Sequence, residues 1–233
     1  EILTTSSMHA LKVGEPIGSF YMIKWKGIYQ SDDEIPAKIY DQGVRAGDCI
    51  YEDVDGNDVI DENDKQFVGS ANPKFTGGFN NTFKYKGFDL NIMFNGMFDR
   101  IMQDPTEMDF GVNGGGIAQS GYNMLRTIKD RWTFDNPSTT RPSSYYITGT
   151  NYTAGDFFYQ KAWFIRLQNI SLGYTLPKSL LAKTKVLSNV RFHASVNNLF
   201  VITPYKGLDP ETDAYAAAYP NARTFSFGVD VSF

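Results

Sequence analysis

Long segments of alternating apolar and polar residues constrain the fold of this chain more than any other feature. The last segment, RTFSFGVDVSF, places five apolar side chains on one face of an extended backbone: Phe225, Phe227, Val229, Val231 and Phe233. A period of two predicts a β-strand with one apolar and one polar face. The same alternation occurs in 74–85, 88–96, 162–177 and 189–200. The runs contain 9 to 16 residues, and a tilted strand needs about 9–11 residues to cross a bilayer.

Two irregularities refine this prediction. Lys86 and Gly87 separate 74–85 from 88–96, and a two-residue connection with glycine is a strong signal for a β-hairpin. In 162–177 the apolar residues change phase near Gln168 and Asn169, which predicts a β-bulge.

The connections between the runs have two characteristic lengths. Lys86-Gly87 and Pro177–Ser188 are short, whereas 96–159 and 204–222 are long and rich in Gly, Asn, Asp, Thr and Pro. Short periplasmic turns and long extracellular loops are typical of bacterial outer-membrane barrels. Within the longer loop, the spacing of apolar residues predicts a short helix over 122–132.

The number of strands indicates a part of a larger barrel. We count about five strands that are long enough to span a bilayer, whereas transmembrane barrels start at roughly eight and tolerate no open sheet edge in lipid. The predicted fold class is therefore all-β, as the C-terminal portion of a large antiparallel transmembrane β-barrel. Because the sequence starts at Glu1 rather than Met, we expect a natural beginning upstream or a processed chain.

Composition argues against several other classes of protein. The 233 residues carry a net charge of −4 and lack clustered Lys and Arg, so we expect no nucleic-acid partner. No apolar run reaches the roughly 18 residues of a membrane helix. The single cysteine, Cys49, excludes an internal disulfide. The two histidines, His9 and His193, are accompanied by no nucleophile-elbow or phosphate-loop spacing, so we predict no enzymatic activity.

Six motifs carry a resemblance to a known family. In chain order they are VGEPIGSFY, GDCIYEDVDGNDVIDENDKQFVGSANPKFTGGFNNTFKYKGFDL, RWTFDNP, AWFIRLQNISLGYTLP, VNNLFVITPYKGLDPE and TFSFGVDVSF. Together they resemble the C-terminal region of the SusC/RagA-like TonB-dependent outer-membrane transporters of Bacteroidetes-type bacteria. The resemblance covers nearly the whole chain.

The resemblance implies a location in the outer membrane of a Gram-negative bacterium and a 22-stranded barrel filled by an N-terminal plug domain. It implies three partners, namely TonB acting through a segment outside this sequence, a SusD-like surface lipoprotein over the mouth, and outer-membrane lipid. The cargo would be oligosaccharides or peptides. In such barrels a terminal aromatic residue resembles the signal that the assembly machinery reads, so Phe233 is the predicted assembly signal.

The chain divides into two predicted regions. Residues 1–73 are expected on the long-loop side and contain a strand-like run at 18–30, whereas 74–233 supply the barrel strands and their loops. If the apolar faces of these strands contact lipid, their polar faces line a hydrated passage. The predicted lumen-lining residues are Lys84, Asp89, Asn91, Asn95, Arg166, Gln168, Arg191, His193, Asn197 and Asp230.

The acidic loop, DVDGNDVIDEND at 53–64, has the ligand spacing of an EF-hand-type calcium loop. Counting Asp53 as position 1, the predicted ligands are Asp53, Asp55, Asn57, the Val59 carbonyl, Asp61 and Asp64. Two residues depart from the pattern, because Asp58 stands where glycine is usual and Asp64 where a bidentate Glu is usual. We expect a structural Ca²⁺ here; the alternative is a solvated acidic turn, since Asp, Asn and Gly are also turn residues.

Two other functions remain open on the sequence alone. A soluble or surface-attached β-sandwich could bind a glycan or a partner, with its apolar faces packed on a second sheet. A nonconducting barrel could serve as a surface receptor. Aromatic residues near one strand entry are expected in an interfacial girdle or stacked on sugar at the mouth: Tyr145, Tyr146, Tyr152, Phe157, Phe158, Tyr159 and Trp163. Tyr205, Tyr215 and Tyr219 are candidates for contact with the lipoprotein or for packing.

Overall fold

A five-stranded antiparallel sheet dominates the computed structural model, which describes residues 2–6, 8–111, 121, 123–143, 155–212 and 219–233. Its strands are β7 (Phe75–Tyr85), β8 (Phe88–Phe98), β11 (Phe164–Thr175), β12 (Asn189–Ile202) and β13 (Thr224–Ser232). They pair in the order β13-β12-β11-β8-β7. These strands coincide with the five alternating segments, so the predicted antiparallel strands are confirmed.

Both predicted irregularities occur in this sheet. Lys86 and Gly87 have φ values of 46° and 87°, which the type I′ turn of a two-residue hairpin requires. A Cβ on Gly87 would lie 2.7 Å from the carbonyl oxygen of Thr175, so glycine also permits the close approach of the next strand. The ladders of β11 with both of its neighbours omit Gln168, which confirms the β-bulge.

One face of the sheet is apolar and open. Phe79 is 59% exposed on β7, and Phe227 is 82% exposed on β13. Such exposure of large apolar side chains marks a surface that contacts something other than water. The described residues place no second sheet over this face, and they therefore do not form the alternative β-sandwich.

Smaller sheets precede and interrupt the long strands. A four-stranded sheet has the order β1-β2-β3-β6, and two pairs join β4 to β5 and β9 to β10. Their bounds are β1 (Ile2–Ser6), β2 (His9–Lys12), β3 (Ser19–Ile23), β4 (Trp25–Ile28), β5 (Cys49–Tyr51), β6 (Lys65–Ser70), β9 (Ile101–Gln103) and β10 (Tyr159–Lys161). The helices are α1 (Ala37–Asp41), α2 (Pro105–Phe110) and α3 (Lys178–Leu181), and the 3-10 helices are Asp32–Glu34, Glu62–Asp64 and Arg126–Asp130.

The strand-like run at 18–30 is two strands rather than one. It divides at Lys24 into β3 and β4, which belong to different sheets. The backbone N–H of Trp25 donates to Asp156 Oδ1 over 2.7 Å, and the N–H of Asp156 donates to the Ile23 carbonyl over 3.1 Å. Asp156, which is distant in the sequence, thus forms the backbone hydrogen bonds on either side of Lys24. In a single continuous strand these groups would pair with a neighbouring strand.

An apolar core lies beneath these smaller sheets. Its buried members are Ile23, Tyr29, Ile35, Ile39, Val44, Cys49, Tyr51, Ile60 and Phe158. Burial raises the pKa of the Cys49 thiol to about 12, so the thiol stays protonated at neutral pH. Phe158 joins this core at 3% exposure, so it is not available for an interfacial girdle.

The helix predicted over 122–132 is shorter and tighter than expected. The chain forms a 3-10 helix at Arg126–Asp130, while Tyr122 lies outside the described residues. Trp132 follows it and packs on Gly47, where an added Cβ would lie 2.3 Å from the indole ring. The indole N–H also donates to Gln30 Oε1 over 3.2 Å. These contacts anchor the chain at Trp132, two residues after the 3-10 helix ends.

No helix in the described part of the chain is long and apolar enough to cross a membrane.

Candidate transport face and calcium loop

The polar face of the five-stranded sheet collects residues that lie far apart in the sequence. Directly opposed residues share a face, and the ladders align Lys84, Asp89, Gly173, His193 and Gly228 in one row. The next row contains Thr82, Asn91, Ser171, Ser195 and Ser226. All predicted lumen-lining residues except Gln168 occupy this face through their ladder partners, and Gln168 lies at the bulge.

An ion pair crosses the middle strand of this face. Arg191 Nη2 of β12 donates to Asp89 Oδ2 of β8 over 2.7 Å, passing above Gly173 of β11. A Cβ on Gly173 would lie 2.4 Å from Arg191 Nη2 and 2.6 Å from Asp89 Oδ1. Glycine is therefore needed so that the two charged side chains can meet.

A second glycine accommodates the predicted histidine. His193 Nδ1 lies 3.2 Å from Asp230 Oδ2, and the imidazole ring covers Gly228 of the neighbouring strand. A Cβ on Gly228 would approach His193 Nε2 to 2.3 Å. Gly173 and Gly228 therefore create room for the side chains of Arg191 and His193 on β12.

Amide side chains on the same face form hydrogen bonds with one another and with a threonine hydroxyl. Asn91 Nδ2 donates to Asn80 Oδ1 over 2.8 Å and to Thr82 Oγ1 over 2.9 Å. Beside the bulge, Asn169 Nδ2 donates to Asn197 Oδ1 over 2.8 Å. Several amide groups of this face are therefore paired with side chains of the neighbouring strand.

The most buried charge on this face is Arg166. Its guanidinium is almost fully buried, with Nη2 lying 2.5 Å from Asp209 Oδ1 and Nε 2.9 Å from Glu211 Oε2. Asp209 is itself buried, and both carboxylates belong to the segment 204–212 that follows β12. Asn95 Nδ2 lies 3.4 Å from Glu211 Oε1. The acidic motif LDPE thus fixes its loop over one end of the polar face.

Sequence reasoning missed Asp209 and Glu211. The available signal was Arg166 itself, because an arginine within an apolar strand needs a carboxylate partner if it is to be buried. The tyrosine of the same loop is also fixed, since the Tyr205 hydroxyl donates to the Gln103 carbonyl over 2.8 Å and the ring is buried. Tyr219 is 85% exposed, whereas Tyr215 lies outside the described residues.

Three of the predicted calcium ligands converge. Carboxylate oxygens of Asp53, Asp55 and Asp64 lie within 4.8 Å of one another. Asp64 is fully buried, where Oδ1 accepts from the Val54 N–H and Oδ2 from the Asp61 N–H. The backbone turns at Asp58, whose φ of 59° is the left-handed conformation that glycine usually supplies in such loops.

The remaining predicted ligands do not join this group, because the Asp61 carboxylate is not among the converging oxygens and the side chains of Asn57 and Asp61 accept hydrogen bonds from the loop backbone. Asn57 Oδ1 accepts from the Val59 N–H over 2.7 Å, and Asp61 Oδ1 accepts from the Asn63 N–H over 2.7 Å as a helix cap. Partial desolvation raises the pKa of Asp53, but hydrogen bonds from the backbone N–H groups of Asp58, Gly56 and Asn57 outweigh it, and the pKa is lowered. The loop therefore favours the ionised form of Asp53 close to the carboxyl groups of Asp55 and Asp64, an arrangement that a hard divalent cation would stabilise.

The predicted aromatic cluster is divided among different environments. The rings of Phe157 and Trp25 meet edge to face with their centroids 5.4 Å apart. The rings of Tyr159 and Phe20 meet in the same way with their centroids 4.8 Å apart. Tyr145, Tyr146 and Tyr152 lie outside the described residues. Phe233 follows the edge strand β13 and is 83% exposed.

The sequence matches no protein-family model. It is similar to TonB-dependent receptor P3 of Formosa agariphila, with 33% identity over 96% of this chain and 23% of the relative. It is also similar to TonB-dependent receptor SusC of Bacteroides thetaiotaomicron, with 28% identity over 98% of this chain and 20% of the relative.

A solved structure extends this relationship to the fold. The structure of the RagAB peptide transporter matches 99% of this chain and 24% of the solved chain, with 27% identity and a TM-score of 0.74. The open-open state of the RagAB peptide importer matches with the same TM-score. The antiparallel sheet thus matches part of the barrel in that structure, and the chain spans about a quarter of the length of these relatives. The chain belongs to the SusC/RagA-like TonB-dependent receptors.

Proposed function

We propose that this chain forms part of the wall of a TonB-linked nutrient importer in the outer membrane of a Bacteroidetes-type bacterium. The observation that carries the proposal is the two-sided sheet, with exposed Phe79 and Phe227 on one face and paired charges on the other. The relatives are receptors and transporters rather than enzymes, which agrees with a role in transport.

The apolar face would contact outer-membrane lipid. Exposed aromatic side chains lose water on insertion, which stabilises the barrel by roughly 25 cal/mol per Å² of apolar surface. The five strands expose edges at β7 and β13, and both edges would pair with strands from the rest of the barrel.

The polar face would line the passage. Its ion pairs, such as Asp89–Arg191, keep their charges compensated, so the wall presents hydrogen-bonding groups without a strong net field. A cargo with many hydroxyl or amide groups can exchange its hydration for these groups, which suits an oligosaccharide or a peptide. A SusD-like lipoprotein over the loops and TonB at the periplasmic side would complete the importer.

Uptake through the full-length transporter tests this proposal. A strain that depends on the transporter for one oligosaccharide or peptide is expected to lose uptake when the gene is deleted. Bulky maleimide labelling of Ser195→Cys, on the polar face, should then slow uptake, whereas labelling of Ala194→Cys, on the lipid side, should not. Equal uptake after both labels would contradict the assignment of the faces. Cargo binding without uptake in the wild type would identify a receptor.

We also propose that the acidic loop binds a structural Ca²⁺. Asp53, Asp55 and Asp64 would supply carboxylate oxygens. Asn57, the Val59 carbonyl and Asp61 would complete the predicted ligand set. The convergence of three carboxylates and the glycine-like turn at Asp58 support this proposal. The neighbouring strands β5 and β6 provide no helix pair to transmit a switch, so the ion would brace the loop.

Phe233 is the proposed assembly signal. Its exposed ring at the end of an edge strand is available to another protein before the barrel closes. Deletion of Phe233 is expected to reduce the amount of folded transporter in the outer membrane, whereas Phe233→Tyr should preserve it. Equal amounts of folded protein in both variants would contradict this role.

A further inference from the structure

A cavity of about 520 Å³ lies between β6 and the start of β9, apart from the polar face and the calcium loop. Phe67 and Ser70 are on one side of it, and Arg100 and Ile101 are on the other. Gly69 lets the two sides approach, because an added Cβ would lie 3.0 Å from Ile101 Cδ1. Its volume falls within the range of about 300–1,000 Å³ that small-ligand sites occupy.

Basic residues outnumber acidic residues in the lining of this cavity. The three cations are Lys74, Arg100 and Lys161, and the two carboxylates are Glu15 and Asp99. The charge of Lys74 is already compensated, because its Nζ lies 2.6 Å from Asp99 Oδ2. Asp99 and, more weakly, the Glu15 carboxylate raise the pKa of Lys74. Three cations against two carboxylates leave a net charge of +1, and Arg100 and Lys161 are the two cations of the lining without an ion pair to a described residue.

Arg100 lacks a counter-ion in the described structure. Its Nη1 donates to the Pro210 carbonyl over 3.3 Å and contacts Met97 Sδ at 3.4 Å, but no described carboxylate lies within ion-pairing distance. Burial lowers the pKa of its guanidinium, and Tyr205 and Glu211 oppose this effect. A partly buried cation without a counter-ion is unfavourable, and an anion that enters the cavity would relieve that cost.

Lys161 and Trp163 stand beside Arg100. The Ala162 N–H donates to the Arg100 carbonyl over 2.9 Å, which holds these neighbours in place along the β9–β10 pair. Lys161 is exposed and makes no ion pair with a described residue. Trp163 is half-buried, and it adds a flat apolar surface next to the two cations.

We propose that this cavity binds a carboxylate-bearing sugar unit, with Arg100 and Lys161 contacting the carboxylate and Trp163 contacting the sugar ring. Guanidinium and ammonium groups form charge-assisted hydrogen bonds with carboxylates, and an indole surface covers the apolar C–H face of a pyranose. The combination favours an acidic oligosaccharide over an acidic peptide. The inference rests on the proposed importer function, because it names a class of cargo for that transporter.

Calorimetry on the full-length transporter in detergent tests the inference with trigalacturonic acid and its methyl ester as probes. The two probes differ in charge and share their sugar rings. The wild type should bind the acid at least about tenfold more tightly than the ester, and Arg100→Gln or Lys161→Gln should remove most of this difference. Lys129→Gln, an exposed substitution outside the cavity, should change nothing, and Arg100→Lys should retain part of the preference.

Several results would overturn the inference. Equal affinity for acid and ester in the wild type would do so, as would unchanged affinity in a folded Arg100→Gln variant with a normal circular dichroism spectrum. Tighter binding of a glutamate tripeptide than of trigalacturonic acid would overturn the assignment to a sugar. Binding in detergent needs neither TonB nor a membrane, so retained binding with absent uptake in cells would overturn the importer proposal alone.

Discussion

Removal of Arg166 should release the segment 204–212 from the sheet. Arg166 and Asp209 are 3% and 6% exposed, and Glu211 lies on the other side of the guanidinium. Without Arg166, two carboxylates would be left close together, one of them buried. Removing one partner of a buried ion pair costs about 3–5 kcal/mol. The charge can regain water if the loop opens, so we expect local opening rather than unfolding of the barrel.

Hydrogen exchange at two backbone amides measures this opening. The N–H of Glu211 donates to Asp209 Oδ1 over 2.9 Å, and the N–H of Asn221 donates to Asp209 Oδ2 over 3.1 Å. At about 1.4 kcal/mol per factor of ten, Arg166→Gln should accelerate exchange at both amides by at least about a hundredfold. The amides of β11 and β12 should stay protected.

A matched substitution on the same face provides the control. Arg191 also pairs with a carboxylate, but its side chain is 37% exposed and that of Asp89 is 29% exposed. Solvent screening limits such a pair to about 0–1 kcal/mol, so Arg191→Gln should change exchange at Glu211 very little. If Arg166→Gln had no larger effect than Arg191→Gln, the reasoning from burial would be refuted.

Three further substitutions or labels test other parts of the structure. Gly173→Ala should destabilise the barrel by at most about 1 kcal/mol, seen as a slightly lower unfolding temperature, because its Cβ would displace the partly exposed Asp89–Arg191 pair; Gly77→Ala, with no atom within 4 Å of the added carbon, should cause no such loss. Cys49 should react with a thiol reagent at pH 8 only after denaturation, and rapid labelling of folded protein would contradict its burial. Asp55→Asn should weaken Ca²⁺ binding by at least about tenfold in a titration, whereas Asp58→Asn should not; equal affinities would contradict the ligand assignment.

The sequence predicts the long strands well because their alternation is local. The apolar face requires a period of two along each strand. This period is interrupted at Lys86-Gly87 and at Gln168, and both interruptions are local sequence signals, the first for a turn and the second for a bulge. The polar face follows from the same alternation. Nine of the ten predicted residues lie on this face, and their prediction needed no knowledge of the strand order.

Long-range contacts decide what the sequence could not predict. Arg166 and Asp209 are 43 residues apart, and Trp25 and Asp156 are 131 residues apart. No periodicity reports such pairs, so neither the fixed LDPE loop nor the break between β3 and β4 could be derived. The environment of Phe158 could not be predicted for the same reason. An aromatic residue near the start of a strand has the same local sequence whether it is buried in a core or lies at a membrane interface.

Site-directed spin labelling of β13 tests the two-sided wall most directly. Single cysteines would replace each residue from Thr224 to Ser232 in turn in the full-length transporter in lipid bilayers, with Cys49 left buried and unlabelled. The account predicts that labels at Phe225, Phe227, Val229 and Val231 collide with dissolved oxygen in the lipid, while the residues between them respond to a water-soluble nickel complex. Accessibility that lacks this period of two would contradict the assignment of the chain to a barrel wall.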